Sequence, residues 1–223
     1  MLEKLYPHRF SIFFISQITI LFGSLLIPSG TLEDIIMSLF FITNLLAGIL
    51  VISKNIQLVW IFFGLFIIML LNFIFNLEAE QRFFRYIKMG TYFSFYTIVT
   101  IQIIKQVWEA SIVNKNVILG LISGYISLGL IGFFIFISIQ MIDPNSFKGI
   151  LDASHGDTLL EQLMYFSYIT LLTIGYGDIV PVTAIARKAT ILIGLMGQIY
   201  LVIITSIIVG KYINQLAQTN EKN

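Results

Sequence analysis

The sequence predicts an all-α integral membrane protein with six transmembrane helices and a re-entrant helix between the fifth and the sixth. Of its 223 residues, 57% are hydrophobic and only 11% are charged, whereas a soluble domain is about half apolar and a quarter charged. Polar breaks divide the chain into six apolar runs close to the roughly 20 residues that a helix needs to cross a bilayer. A further apolar run of about fourteen residues is too short to cross and suits a re-entrant segment.

Polar or turn-forming stretches separate the six spans. These breaks are residues 28–34, 53–57, 78–88, 108–116 and 143–156. The first apolar run follows Lys4, His8 and Arg9, as in a signal peptide, but it is too long and no small-residue cleavage site follows it. We therefore expect a retained membrane helix there. The predicted spans are residues 10–27, 35–52, 58–77, 89–107, 117–142 and 184–212.

The short apolar segment comprises residues 159–172. Thr158 and Glu161 have the spacing of a capping box, and Asp157 adds negative charge at the positive end of the helix dipole, so a helix is expected over 158–172. A backbone that enters and leaves the bilayer on one side must be sheltered by protein, because lipid cannot satisfy its N–H and C=O groups. Neighbouring helices should therefore surround this segment.

The residues after the short helix read T-I-G-Y-G-D, from Thr173 to Asp178, and Pro181 closes their return. A strand turns successive carbonyls to opposite sides, so a row of carbonyls that all face one way needs alternate residues in conformations that a Cβ disfavours. Gly175 and Gly177 meet this need. A bare G-Y-G would indicate only a turn, but its position between a re-entrant helix and a spanning helix favours a row of oxygen ligands for a cation.

This segment resembles the selectivity filter of the potassium channel family, and the layout is similar to that of its bacterial-type six-span members. The resemblance implies that the carbonyls of Thr173, Ile174, Gly175 and Tyr176, with the Thr173 hydroxyl, bind K⁺, and that Gly177 and Asp178 complete the filter. It also implies that Ile174 and Tyr176 pack outward against the short helix. Since four such strands surround one ion and each chain carries one, a homotetramer is expected.

By this resemblance the chain divides into two regions. Residues 1–108 form a four-helix transmembrane scaffold in the position of a voltage sensor, and residues 109–223 form a pore domain. Within the pore domain we expect an outer helix at 117–142, a pore helix at 158–172, the filter at 173–178 and an inner helix at 184–212.

The resemblance also assigns roles on the inner helix. Gly197 falls at the family's hinge glycine, although close helix packing explains Gly197, and Gly194 before it, equally well. Gln198, Leu201 and Thr205 stand at helical spacing and would line a cavity below the filter. Intramembrane polar groups seldom face lipid, which supports Gln198 and Thr205, while Leu201 rests on the spacing alone.

Two positions depart from the family pattern. Relatives often have Thr where this chain has Leu172, and the aromatic pair of the short helix is Tyr165 and Phe166. The contact that holds Asp178 is therefore open at this stage. Ile169 offers Asp178 no acidic partner, which weakens any analogy with channels that regulate the filter through a carboxyl pair.

Three basic residues at the start of the fourth span, Arg82, Arg85 and Lys88, raise the question of voltage sensing. One charge that crosses the field gains about 2.3 kcal/mol per 100 mV, so a steep response needs several such charges. Residues 89–104 are uncharged. We favour an interfacial basic flank over a weak voltage sensor, and we assign no function to the four leading helices.

The predicted function is passive, potassium-selective conduction, and the alternative is a non-selective monovalent cation channel. A coupled transporter would show paired broken helices in symmetric halves. An enzyme would need a carboxylate pair, a Ser-His-Asp set or a metal cluster in a span. The sequence displays neither pattern, so an enzyme is not expected.

The expected partners are the lipid bilayer, further copies of the chain and K⁺ as the permeant ligand, with no other cofactor and no protein partner that we can name. The basic residues form no continuous stripe of the kind that nucleic acid requires. The chain has no cysteine, which removes disulfides and thiolate metal sites. The resemblance implies a multi-pass protein of the plasma membrane with both termini in the cytoplasm.

Overall fold

The computed structural model describes residues 5–26, 31–75, 82–151 and 159–220. Short 3-10 turns at Tyr6–His8 and Gly23–Leu26 flank the first helix. The helices are α1 (Arg9–Phe22), α2 (Thr31–Ile52), α3 (Ile56–Phe75), α4 (Arg82–Glu109), α5 (Lys115–Ile142), α6 (Leu159–Leu171), α7 (Ala184–Ile199) and α8 (Thr205–Asn220). A π-helical turn, Tyr200–Ile204, joins α7 to α8, and β1 (Phe147–Lys148) pairs antiparallel with β2 (Val180–Pro181).

Helices α1 to α4 form a bundle whose centre is aromatic. The Phe95 ring on α4 lies 5.1 Å from the Phe62 ring and 6.5 Å from the Phe13 ring, measured between centroids. All three side chains are fully buried. Gly48 permits this packing, because a Cβ there would stand 2.6 Å from the Phe95 ring. Burial of such rings is the largest apolar contribution that a single side chain makes.

Hydrogen bonds link three polar side chains inside this bundle. The Tyr96 hydroxyl donates to Asn44 Oδ1 at 2.7 Å, and Asn44 Nδ2 donates to Ser16 Oγ at 2.7 Å. Asn44 is fully buried. In an apolar interior an unpaired amide is costly, so these bonds tie α1, α2 and α4 together.

Helix α5 is the central helix of the chain. The fully buried Gln17 of α1 donates from Nε2 to Ser127 Oγ at 2.7 Å and to the Ser123 carbonyl at 3.1 Å. On its other side, Ser167 and Tyr168 of α6 donate to the Gly129 and Ile126 carbonyls, at 2.6 and 2.8 Å. Helix α5 therefore carries the scaffold on one side and holds α6 on the other.

Glycines on α5 set the distance to α6. A Cβ at Gly129 would overlap the Tyr168 ring, and one at Gly132 would overlap Ser167 Oγ. Small residues let helices approach closely in a membrane, where packing and hydrogen bonds replace the hydrophobic effect. The shelter expected around the short helix is present on this side.

Several element boundaries differ from the predicted ones. Helix α4 begins at Arg82, inside the break expected at 78–88, because its basic flank continues the helix beyond the apolar window. The inner helix continues past residue 212 to Asn220. The capping residues Asp157 and Thr158 lie outside the described residues.

Among the described residues, two helices are long and apolar enough to cross a membrane. They are Lys115–Ile142 and the continuous segment Ala184–Gln218. Shorter apolar helical stretches lie in α2 and α3, at Ile36–Ile52 and Ile56–Leu71.

Candidate functional site

The backbone that leaves α6 turns back onto the end of that helix. The amides of Ile174 and Gly175 both donate to the Ile169 carbonyl, at 2.9 and 3.2 Å, and the Thr173 amide donates to the Thr170 carbonyl at 3.0 Å. Carbonyls at a helix C-terminus lack intrahelical partners, and here they accept these donors. The first three N–H groups of the loop are therefore hydrogen-bonded to the end of α6.

The backbone of the loop alternates in hand. The φ angles of Thr173, Gly175 and Gly177 are +58°, +59° and +82°. The left-handed region costs a residue with a Cβ roughly 1–2 kcal/mol, while glycine adopts it freely. The predicted alternation at Gly175 and Gly177 is present, and it begins one step earlier, at Thr173.

The carbonyls of the loop are left without partners. No carbonyl from Thr173 to Tyr176 accepts a hydrogen bond from another residue in the described ranges. Residues 172–178 are all exposed on the single chain. A row of bare carbonyl oxygens at the negative end of a helix attracts a cation.

Two side chains of the loop do not pack as expected. Ile174 is 47% exposed and Tyr176 is 73% exposed. The sequence predicted that both would pack against the short helix, but within one chain α6 covers neither.

Tyr165 and Asp178 form the contact that the sequence left open. The Tyr165 hydroxyl donates to Asp178 Oδ2 at 2.6 Å, and the Ile179 amide donates to Oδ1 at 2.9 Å. The tyrosine hydrogen bond is the main reason that the pKa of Asp178 lies below its usual value. The same bond raises the pKa of Tyr165 to about 12. Phe166, the second aromatic of the pair, is buried instead against Phe136, with ring centroids 4.9 Å apart.

The chain after the loop pairs with the chain before α6 in a short antiparallel ladder between β2 and β1. Phe147 pairs with Pro181 and Lys148 with Val180. Gly149, which follows β1, has φ +94°, and a Cβ there would overlap the Asp178 carbonyl oxygen. Gly149 could not be predicted from the sequence, since a lone glycine in a loop carries no distinguishing signal.

The inner helix brings one predicted cavity residue to the loop. Gln198 Nε2 donates to Thr173 Oγ1 at 3.5 Å. Leu201 is 42% exposed, and Thr205 is half-buried on the far side of the π-helical turn. The structure therefore joins Gln198 to the loop, whereas Thr205 forms no hydrogen bond with the loop among the described residues.

Gly197 lies where α6 meets the inner helix. A Cβ at Gly197 would stand 2.6 Å from the Leu171 carbonyl oxygen, whereas a Cβ at Gly194 would meet no atom of the described residues within 4 Å. The same carbonyl accepts a hydrogen bond from the Tyr125 hydroxyl at 3.1 Å. Of the two interpretations that the sequence left open for Gly197, this contact favours close packing.

The inner helix is held at two further places. Tyr200, at the start of the π-helical turn, donates from its hydroxyl to the Leu121 carbonyl at 2.7 Å. At the other end, Lys211 Nζ donates to the Trp108 and Ala110 carbonyls, and Gln215 Oε1 accepts from the Val113 amide at 2.9 Å. A lysine on the last carbonyls of a helix matches the negative end of its dipole. The α4–α5 connection is thus attached to α8.

The basic residues at the start of α4 lie on its surface. Arg85 is exposed in the first turns of the helix, and the Arg82 side chain lies outside what the structure describes. Lys88 is half-buried. Past these residues the buried face of α4 carries aromatic and hydroxyl side chains such as Tyr92 and Tyr96.

The comparisons with known proteins concern the second half of the chain. A family model described as an ion channel matches residues 120–214, from α5 through most of α8. No curated protein and no solved structure matches the chain. The matched residues include the short helix, the loop and the inner helix, so they support an ion channel in a membrane, and hence transport instead of an enzymatic reaction.

Proposed function

We propose that this chain is one subunit of a homotetrameric channel that conducts K⁺ passively and selectively. The observation that carries the proposal is the segment from Thr173 to Asp178, where the N–H groups at its start are occupied by α6 and the carbonyls that follow are free. In this proposal the carbonyls of Thr173, Ile174, Gly175 and Tyr176 replace the water shell of the ion.

The exposed surface of the loop supports the tetramer. Lipid cannot satisfy free backbone groups, so bare carbonyls at membrane depth must line a water-filled space or be covered by protein. Four copies around one axis would bring the loops together, so that their carbonyls would face the axis and coordinate the ion. They would also supply a covering surface for the exposed Ile174 and Tyr176 side chains.

The proposed topology places six helices across the bilayer, with α6 and the loop re-entrant between α5 and α7. The loop would face the outside and both termini the cytoplasm of a plasma-membrane protein. The first four helices would serve as a scaffold, because the interior of α4 lacks the charges that a steep voltage response requires.

The test is ion flux from liposomes that contain the purified protein, with matched K⁺ and Na⁺ gradients. We expect K⁺ flux well above Na⁺ flux. The Gly175→Ala variant should lose this preference, because φ is +59° at that position although a Cβ would meet no atom of its own chain within 4 Å. Tyr176→Asp should lose it as well.

The matched control is Gly64→Ala. A Cβ at Gly64 also meets nothing within 4 Å, but this glycine lies in the middle of α3, where alanine suits the backbone. Equal Na⁺ and K⁺ flux through the unaltered protein would identify a non-selective cation channel. Unchanged selectivity in Gly175→Ala would make the motif a structural turn.

A further inference from the structure

A groove of about 450 Å³ lies between α4, α5 and α7, toward the end of these helices nearest the loop. This position follows from the chain direction, because α5 ends at Ile142 and α7 begins at Ala184, and both ends adjoin the β1–β2 ladder. The residues that line it are Phe93, Phe134, Ile135, Ser138, Ile139, Ile142, Ile185, Lys188, Ala189 and Leu192.

The walls of the groove suit hydrocarbon. Apart from Lys188, the single polar side chain in the lining belongs to Ser138, and its hydroxyl donates to the Phe134 carbonyl of its own helix at 2.6 Å. That bond satisfies the Ser138 hydroxyl within its own helix. Ile142 and Ile185, near the open end, are 72% and 61% exposed.

Lys188 adds a positive charge to this apolar groove. It is exposed, and it makes no ion pair or hydrogen bond with any residue in the described ranges. It lies near the N-terminus of α7, whose first turn has no acidic residue. Since the helix dipole is positive at this end, the helix itself gives Lys188 no counter-charge. The lining itself contains no carboxylate.

We propose that the groove binds an anionic phospholipid of the leaflet on the loop side, with an acyl chain along the groove and the headgroup phosphate at Lys188. The stretch of α7 from Ile185 to Leu192 rises about 10 Å, so the groove takes the upper part of one chain. The inference rests on the chain lying in a bilayer and not on potassium selectivity.

The adjacent cation provides a matched control. Arg187 is also exposed, but its Nε donates to the Pro181 carbonyl at 3.3 Å, and it is not part of the groove lining. The two variants Lys188→Gln and Arg187→Gln therefore remove the same charge from neighbouring positions, and only the first removes it from the groove.

The experiment is native mass spectrometry of the purified full-length protein, titrated with phosphatidylglycerol or with phosphatidylcholine of the same acyl chains. We expect phosphatidylglycerol to bind more tightly. Lys188→Gln should weaken that binding about fivefold, as expected for one interfacial cation, while Arg187→Gln changes it less than twofold. Ser138→Leu, which fills the groove without breaking a bond between helices, should weaken binding of both lipids.

Equal affinity for the two lipids would overturn the assignment of an anionic headgroup. Equal losses in Lys188→Gln and Arg187→Gln would mean that surface charge in general, and not the groove, holds the lipid. The mass of the intact complex in the same spectra shows whether each variant still assembles. Ion flux reports separately on the proposed channel function, so either idea can fail without the other.

Discussion

The two regions of this chain, residues 1–108 and residues 109–223, differ in whether their polar groups are hydrogen-bonded within the chain. In the scaffold, Asn44 is fully buried, and it is bonded to Tyr96 on one side and Ser16 on the other. The exposed surface of α3, with residues such as Trp60 and Ile74, is apolar. The pore half instead exposes bare backbone, since residues 172–178 are all accessible. The buried amide of the first four helices is thus paired within the chain, while the backbone of the loop is left open.

The two long helices of the pore half show the same difference. The most apolar stretch of α5 is 67% buried, against 28% for that of the inner helix. Apolar side chains can face lipid at no cost, but free carbonyls cannot. In the proposed tetramer, further copies of the chain would therefore meet at the bare carbonyls of the loop, while the exposed apolar surface of the inner helix can face either protein or lipid.

The largest effect is expected from Gly197→Ala, which tests whether the pore half depends on close packing at α6. The added Cβ would press on the Leu171 carbonyl oxygen, a backbone atom that cannot swing away. We expect a loss of roughly 1–3 kcal/mol and a lower melting temperature in detergent. Gly194→Ala, where a Cβ meets nothing within 4 Å, should leave the melting temperature unchanged. Unchanged stability with altered channel opening in Gly197→Ala would instead favour the hinge.

The next prediction tests whether the hydrogen bonds inside the scaffold contribute to stability without affecting ion selectivity. Asn44→Leu removes the partner of both the Tyr96 hydroxyl and the Ser16 hydroxyl. Intramembrane hydrogen bonds average about 0.6 kcal/mol each, so the loss should be about 1–2 kcal/mol, seen as a lower melting temperature. Ion selectivity in liposomes should not change. A change in selectivity would show that the two regions are not separable.

A smaller effect is expected where the two regions are joined. Lys211→Met removes the donor to the Trp108 and Ala110 carbonyls at the end of α4. The contact is worth about 0.3–1 kcal/mol, as for other cations at helix C-termini. Hydrogen exchange should speed up at the amides of residues 110–113, and not after Lys115→Met on the same side. Equal protection in the two variants would contradict the attachment.

The smallest effect concerns Asp178 and appears as a pH dependence. Because the Tyr165 bond lowers the pKa of Asp178, the stabilisation is complete above the usual aspartate pKa and is lost as the pH falls through the lowered value. Tyr165→Phe should therefore move the acid midpoint of Asp178 upward, toward its usual value. The carboxyl signal of labelled aspartate in NMR measures this. The exposed Tyr212 provides the control, since Tyr212→Phe should not move the midpoint.

The sequence predicted the order of the helices from the spacing of polar breaks. That spacing works because a helix must stay apolar for the whole membrane thickness. Helix ends were less predictable, since α4 and α8 continue through polar residues once they are held by neighbours, as at Lys211. The alternation of φ at Gly175 and Gly177 could be predicted because it follows from a local property of the backbone.

Other features depend on contacts between residues far apart in the chain, and only the tertiary structure decided them. The bond from Tyr165 to Asp178 and the packing of Gly197 on Leu171 are of this kind. By itself, the sequence determined an apolar multi-helix chain with a glycine-alternating loop, because these follow from local composition and backbone freedom. Which side chains meet, and which carbonyls stay free, was decided by how α5, α6 and the inner helix pack.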